Sequence, residues 1–145
     1  MPPYLLDTSV VLALIRWQEL GKRIDATYGL RQSRERPVIC VVSHGELWAI
    51  ARRLGFGESK QHELVRLLDE LVTVELDRAV IDAYAEVQQL LHTQAGGART
   101  LSNNDAWIAA ATRAAGATLL TTDADFDSLI PGFIRGHRIS RDAPR

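Results

Sequence analysis

The stretch Val38-Ile39-Cys40-Val41-Val42 is the clearest strand in the sequence, and it decides the class of fold. A run of β-branched residues without alternating polar positions is typical of a strand buried on both faces of a parallel sheet. Pro37 separates this run from the segment before it, because proline lacks an amide donor and restricts its preceding neighbour. Apolar residues at helical spacing follow from Ser43 and end at Gly55, so we expect a helix directly after the strand.

The same alternation of short apolar runs and helical patterns continues on both sides of this strand. The runs at residues 4–6, 72–76 and 118–121 are predicted strands, and residues 136–139 are a predicted edge strand. Helical patterns cover residues 10–20, 25–34, 64–71, 80–91 and 105–115, with a Gly-rich loop at 95–100 and a short helix near 125–129. This order predicts an α/β fold with a mostly parallel central sheet of four to five strands.

Length and composition restrict the class of protein. The chain has 145 residues, of which 46% are hydrophobic and 24% are charged, and its net charge is -1. These values predict a single folded domain over residues 1–145 and exclude a disordered chain. Cys40 is the only cysteine, which excludes a disulfide scaffold and indicates a reducing compartment. No apolar run approaches a membrane span and the N-terminus lacks a basic signal segment, so we expect a soluble, cytoplasmic protein that does not bind membranes.

Four acidic residues occupy comparable places in this scheme. Asp7 follows the first strand, Glu46 lies in the first turn of the helix after the second, Asp105 opens the buried helix, and Asp123 follows the fourth strand. Loops that leave the carboxyl ends of parallel strands gather at one edge of the sheet, where ligands bind. We therefore expect the four carboxylates to meet at that edge.

Each acid taken alone also has a purely structural explanation. Two pairs have the form of a capping box and two acids could cap a helix alone: Ser43-x-x-Glu46, Ser102-x-x-Asp105, Asp7 and Asp123. Four carboxylates at one edge would, however, repel one another and raise one another's pKa. A divalent cation relieves that repulsion, and all-oxygen ligands favour Mg²⁺ or Mn²⁺ over zinc. Such a cation usually acts on phosphates, so the predicted reaction is hydrolysis of a phosphodiester.

Four segments that carry these acids resemble the four acidic motifs of the PIN domain. They are Leu5-Leu6-Asp7-Thr8-Ser9, Ser43-x-x-Glu46-Leu47, Asn104-Asp105-Ala106-Trp107-Ile108-Ala109-Ala110 and Leu120-Thr121-Thr122-Asp123-x-Asp125-Phe126. Chain length and motif order, over residues 4–139, resemble the VapC toxins of bacterial and archaeal toxin–antitoxin pairs. The resemblance implies a three-layer α/β/α sandwich and an endoribonuclease that depends on Mg²⁺ or Mn²⁺. It also implies a type II toxin that cleaves tRNA, rRNA or mRNA, forms a homodimer and is inhibited by a small VapB-like antitoxin.

The resemblance further assigns roles to individual residues. Asp7 and Asp105 match the acids most directly tied to the metal, whereas Glu46 and Asp123 match acids that act directly or through water. Three hydroxyl residues match positions that orient a carboxylate or a water on the metal: Thr8, Ser9 and Thr121. One position departs from the family, since Thr122 stands where members often carry a basic residue.

Basic residues outside the acidic ring must hold the flanking RNA phosphates, because the ring itself repels RNA. The candidates are Arg99, Arg135 and Arg138. The run Asp123-x-Asp125-x-Asp127 is not an EF-hand loop, because Ser128 and Ile134 stand where that loop needs Gly and Glu. Two alternatives stay open at this stage. One is a catalytically silent PIN-like module that binds protein, and the other is a nuclease of the same chemistry that acts on DNA.

Overall fold

Five parallel strands form the central sheet of the structure, a computed structural model that describes residues 2–93 and 101–142. The strands are β1 (Tyr4–Leu6), β2 (Val38–Cys40), β3 (Val72–Val74), β4 (Thr118–Thr121) and β5 (Arg135–Arg138). Their order across the sheet is β3-β2-β1-β4-β5, so the first strand lies at the centre. Leu5 of β1 pairs with Val38 on one side and with Leu119 on the other. The predicted parallel sheet is confirmed, and β5 is the predicted edge strand.

Helices cover both faces of this sheet. In the described residues they are α1 (Thr8–Arg16), α2 (Glu19–Tyr28), α3 (Val41–Arg53), α4 (Glu58–Glu70), α5 (Arg78–Thr93) and α6 (Asn103–Ala114), with a 3₁₀ helix at Ala124–Leu129. Helices α5 and α6 pack with Leu5 and Leu119 in one buried cluster, and α1 to α4 pack with Leu6 and Leu120 in another. Because neighbouring residues of a strand point to opposite faces, β1 and β4 contribute to both clusters. The three-layer α/β/α sandwich is therefore confirmed. None of these helices is both long and apolar enough to cross a membrane.

Helix α3 begins two residues earlier than the sequence predicts. Val41 and Val42 are its first helical residues, after an extended N-cap at Cys40, so the predicted strand over residues 38–42 is too long. Their β-branched side chains suggested a strand, but strand propensity is weak enough for tertiary context to override it. Ser43 therefore lies inside the helix, and Glu46 lies in the second turn rather than the first. The capping-box explanation of this pair is wrong.

Helix α2 lies several residues before its predicted position. Helix α1 ends at Trp17, which adopts the left-handed conformation with φ 49°, and α2 starts at Glu19. Gly29, with φ 61°, ends α2, so the helix predicted over residues 25–34 is wrong. A bulky residue at positive φ is uncommon, and the break at Trp17 therefore had no glycine to mark it in the sequence.

Gly21 allows α2 to cross closely over α1. A Cβ on Gly21 would overlap the carbonyl oxygen of Ala13, a backbone atom that cannot rotate away. We expect Gly21→Ala to lower the free energy of unfolding by about 1–3 kcal/mol. Gly45 in α3 is the matched control, because a Cβ there meets nothing within 4 Å. Gly45→Ala should raise that free energy by about 0.5–1 kcal/mol, and urea denaturation measures both changes. Equal effects of the two variants would contradict the close crossing.

Candidate active site

The four predicted acids share one edge of the sheet, where the strands end. Asp7 directly follows β1, Asp123 follows β4, and Glu46 lies in the helix that leaves β2. Asp105 lies in the first turn of α6, and because α6 leads into the start of β4, that first turn lies at the carboxyl edge. The charges of Asp7, Asp123 and Glu46 all act on Asp105. The four carboxylates therefore form one electrostatic site.

Asp7 is buried, with 4% of its surface exposed, and three donors hold its carboxylate. Oδ1 accepts from the Thr8 amide at 2.8 Å, and Oδ2 accepts from Ser9 Oγ at 3.0 Å and Thr121 Oγ1 at 2.7 Å. Burial nevertheless raises the pKa of Asp7 above its ordinary value, because loss of water outweighs these donors, and the charge of Glu46 adds to the rise. The bond from the Thr8 amide is also a helix cap, so Asp7 has the structural role as well.

Glu46 is half-buried and is held at both carboxylate oxygens. Thr8 Oγ1 donates to Oε1 at 2.8 Å, and Asn104 Nδ2 donates to Oε2 over a longer distance of 3.5 Å. Neither contact satisfies the N-terminal amides of α3. The orientation of Glu46 therefore depends on the first residue of α1 and the first turn of α6.

Asp105 belongs to a cluster of three half-buried carboxylates in the described residues. One carboxylate oxygen each of Asp105, Asp123 and Asp125 lies within 4.8 Å of the others. Burial, followed by the charges of Asp7, Asp123 and Glu46, raises the pKa of Asp105 from its ordinary value of 3.8 to about 7. The site thus concentrates more negative charge than its own hydrogen-bond donors balance.

A hard divalent cation fits this donor set. The available ligand atoms are carboxylate oxygens, which Mg²⁺ and Mn²⁺ prefer. Bound positive charge would favour the ionised form of Asp105, whose pKa is raised to about 7 by burial and by the charges of the neighbouring acids. The geometry therefore supports a site for a divalent metal ion.

The three predicted hydroxyl residues connect the acids. Besides its bond to Asp7, Thr121 Oγ1 accepts from the amide of Asp123 at 3.0 Å and so joins the ends of β1 and β4. Ser9 Oγ accepts from the Thr122 amide at 3.2 Å. Thr8 joins Asp7 to Glu46 through its amide and its hydroxyl.

Asp105 and Asp123, in addition to Asp7, take part in the predicted helix capping. Ser102 Oγ accepts from the Asp105 amide at 3.1 Å, so Ser102 caps α6. Asp123 Oδ1 accepts from the Asp125 amide at 2.9 Å and caps the 3₁₀ helix. Capping and an acidic site are therefore compatible at these positions.

The three arginines predicted to contact RNA lie in different places. Arg99 lies outside the residues that the structure describes. Arg135 is at the amino end of β5, the end opposite the acidic edge, where its Nη2 donates to the carbonyl of Gly116 at 2.8 Å. Arg138 is at the carboxyl end of β5, beside the acids, and its Nε donates to Asp127 Oδ1 at 3.0 Å. Of the two described arginines, only Arg138 lies at the acidic edge.

Sequence reasoning missed three residues that contact or join the acids. Asp125 stands in the fourth motif but is assigned no role from the sequence, although its position two residues after Asp123 is a signal. Ser43, which is fully buried, was interpreted as a helix cap, and its Oγ instead lies 3.0 Å from Thr8 Oγ1. Asn104 was only a neighbour of Asp105 in its motif, and nothing local indicated its contact with Glu46.

Comparison with known proteins agrees with this fold. The family model of the PIN domain matches residues 4–129. A structure of VapBC2 from Rickettsia felis bound to a promoter DNA fragment has a TM-score of 0.76 and 21% identity, covering 93% of this chain and 97% of that chain. For VapBC-5 from Mycobacterium tuberculosis the TM-score is 0.63 and the identity 23%, covering 96% and 99%. DNA-bound VapBC from Salmonella typhimurium has a TM-score of 0.75 and 19% identity, covering 95% of this chain and 98% of that chain. No curated protein sequence matches the chain significantly.

Proposed function

The chain belongs to the PIN domain family, and from this premise we propose that it is a VapC-type toxin, an endoribonuclease that depends on Mg²⁺ or Mn²⁺. The observation that carries the proposal is the meeting of four acids at one sheet edge, with the pKa of Asp105 raised to about 7. Such a group of carboxylates suits the hydrolysis of a phosphodiester, because the carboxylates and a phosphate oxygen can bind the same divalent cation. The proposed substrate is a tRNA, an rRNA or an mRNA.

Five acids would hold the cation in this proposal. Asp7 and Asp105 are the direct ligands that the family motifs suggest, and Glu46 and Asp123 act directly or through water. Asp125 joins them, because its carboxylate lies within 4.8 Å of those of Asp105 and Asp123. When bound, the cation polarises the scissile phosphate and offsets the charge that develops on it.

The protein's own residues prepare the attacking water and the acids. Three donors hold Asp7 in one orientation, so its position does not depend on substrate. Thr8 donates to Oε1 of Glu46 at 2.8 Å, whereas Asn104 contacts Oε2 only over 3.5 Å. A lone pair of Oε2 is therefore the one that accepts the proton of a water attacking phosphorus in line. A phosphorus–oxygen bond then forms to the water oxygen as the opposite ester bond breaks, and the leaving oxygen takes up a proton from solvent to become a hydroxyl.

Arg138 is the described side chain best placed to hold a flanking phosphate. It lies at the same edge as the acids, and its ion pair with Asp127 is half-exposed, which keeps the pair weak. A phosphate can therefore replace Asp127 as the partner of Arg138 at little cost. Arg99 and Arg135 remain proposed contacts to phosphates farther along the RNA, Arg99 from the Gly-rich segment and Arg135 from the amino end of β5.

A VapB-like antitoxin and a homodimer complete the proposal. The similar structures named above are of VapBC toxin–antitoxin systems, and they match nearly the full length of this chain. On this basis the protein acts in the cytoplasm, where an antitoxin blocks the acidic edge until it is removed.

Cleavage of RNA by the purified chain, freed from any antitoxin, tests the proposal. We expect discrete fragments from a mixed pool of tRNA and rRNA in Mn²⁺ or Mg²⁺, and no fragments after chelation with EDTA. Readdition of Mn²⁺ should restore them. Single-stranded and duplex DNA of similar length are run beside the RNA, and cleavage of DNA alone would assign the chain to the DNA-directed alternative.

A silent binding module is distinguished by a metal titration. The proposed nuclease should gain thermal stability with Mn²⁺, and Asp7→Asn should gain much less. Absence of cleavage together with equal Mn²⁺ responses in the two proteins would overturn the nuclease proposal.

A further inference from the structure

We infer that Ser43 and Asn104 are positioning residues that clamp Glu46 in its working orientation from two sides. This inference rests on the proposed function, in which Glu46 serves the hydrolysis. Ser43 acts on Oε1 through Thr8, and Asn104 acts on Oε2 directly.

The direction of the hydrogen bonds at Thr8 follows from donor and acceptor chemistry. Thr8 Oγ1 lies 2.8 Å from Glu46 Oε1 and 3.0 Å from Ser43 Oγ, but it carries a single hydrogen. An ionised carboxylate only accepts, so the Thr8 hydrogen goes to Glu46. Ser43 then donates its own hydrogen to the Thr8 oxygen. The result is a directed chain, Ser43 to Thr8 to Glu46.

Burial makes Ser43 an effective orienting group. Its side chain is fully buried and that of Thr8 is 8% exposed, so water cannot substitute for either partner. Leaving a buried hydroxyl without a partner costs more free energy than its hydrogen bond contributes to stability. The three hydrogen-bonded side chains therefore keep one arrangement. Without Ser43, the Thr8 oxygen is unsatisfied and its hydroxyl is free to turn from Glu46.

Asn104 restrains the other oxygen of the carboxylate. It lies next to Asp105 in the first turn of α6, and its amide donates to Oε2 over 3.5 Å. Contacts of this kind are often long before substrate binds and shorten in the reacting complex. Two donors on two oxygens fix the plane of the carboxylate, one from the helix that Asp7 caps and one from the helix that carries Asp105.

Cleavage kinetics with matched controls test the clamp. Ser43→Ala and Asn104→Ala should each lower kcat by about 10–100-fold, the usual loss for an outer partner of a catalytic group, with KM for RNA within twofold of wild type. Thr112→Val removes another fully buried hydroxyl, which donates to the Ile108 carbonyl at 2.8 Å, and Asn103→Ala removes the neighbouring amide in the same turn. Both controls should keep kcat within about twofold.

Non-additivity separates positioning from general damage. Thr8→Val breaks the chain of hydrogen bonds, so adding Ser43→Ala to that variant should lower kcat no further. Thr8→Ser keeps the hydroxyl and should keep nearly full kcat. For Asn104→Ala, the loss should disappear in Glu46→Gln, where there is no carboxylate to orient. A raised KM, or losses that persist in these backgrounds, would instead assign the residues to RNA contact or to folding and overturn the inference.

A second readout does not require activity. In ¹⁵N-HSQC spectra, the side-chain amide of Asn104, identified by its loss in Asn104→Ala, should shift in Glu46→Gln. It should not move in Glu58→Gln, an exposed carboxylate in α4. If wild type fails to cleave RNA, the proposed function fails, yet this spectrum still tests the contact with Glu46. If wild type cleaves and the resonance does not move, the clamp fails alone.

Discussion

Asp105→Asn is expected to lower metal-dependent cleavage by more than about a hundredfold, beyond the loss that removal of an outer partner causes. Asp105 lies where burial and three neighbouring charges meet, and its carboxylate belongs to the cluster suited to a cation. An amide keeps the shape of the side chain but removes the negative charge that the cation needs. Single-turnover cleavage in saturating Mn²⁺ measures the change.

Asp69→Asn is the control for this substitution. Asp69 is exposed near the end of α4, which leads into the start of β3 and therefore lies at the edge opposite the acids. The cleavage rate of Asp69→Asn should equal that of wild type. Full activity of Asp105→Asn, in protein shown by circular dichroism to be folded, would remove Asp105 from the catalytic set.

The metal-free protein is expected to lose stability as pH rises from about 4 to above 7. The pKa of Asp105 is about 7 in the folded state and near 3.8 in the unfolded chain, so the folded state binds more protons across this range. Raising the pH removes those protons and so lowers the free energy of unfolding. The raised pKa of Asp7 acts in the same direction. Because Asp105 is partly exposed, we discount the shift for solvent screening and expect a loss of about 2 kcal/mol.

Thermal melts from pH 4 to pH 8 in EDTA measure this loss as a fall in Tm of several degrees. Asp105→Asn should flatten the profile, since the amide does not titrate, whereas Asp69→Asn should keep the slope of wild type. Mn²⁺ at about 100 times its Kd should restore about 2.7 kcal/mol at pH 8. A slope unchanged in Asp105→Asn would show that other groups set the pH dependence.

The order of elements could be predicted from the sequence because the signals are local. Buried strands such as residues 118–121 read as short apolar runs, and helices such as α5 show apolar residues at a spacing of three and four. A glycine that marks the end of a helix is a local signal too, as at Gly116 after α6, where φ is 62°. Where a local signal was absent or misleading, as at Trp17 and at Val41, the predicted boundary was wrong.

The placement of the acids after strands was also readable, since parallel strands bring their carboxyl ends to one edge. From the sequence alone, Asp7, Glu46, Asp105 and Asp123 were therefore predicted to meet. Capping could not be separated from catalysis at this stage, because both roles favour an acid at the start of a helix. The structure shows that Asp7 and Asp123 cap helices and that Glu46 does not.

Only the tertiary structure decided how the acids are held. The contact between Thr8 and Glu46 spans 38 residues and that between Thr121 and Asp7 spans 114, so no local pattern could indicate either. Membership of Asp125 in the carboxylate cluster, and the position of Arg135 at the opposite end of β5 from Arg138, likewise depend on how β4 and β5 lie in the sheet. The pKa of Asp105 near 7 arises from burial and from charges on three other segments, which exist together only once the chain has folded. The periodicity of strands and helices is a local property of the sequence, and it determined which edge of the sheet carries the acids. Packing between segments that are distant in the sequence decided how the acids are oriented and protonated.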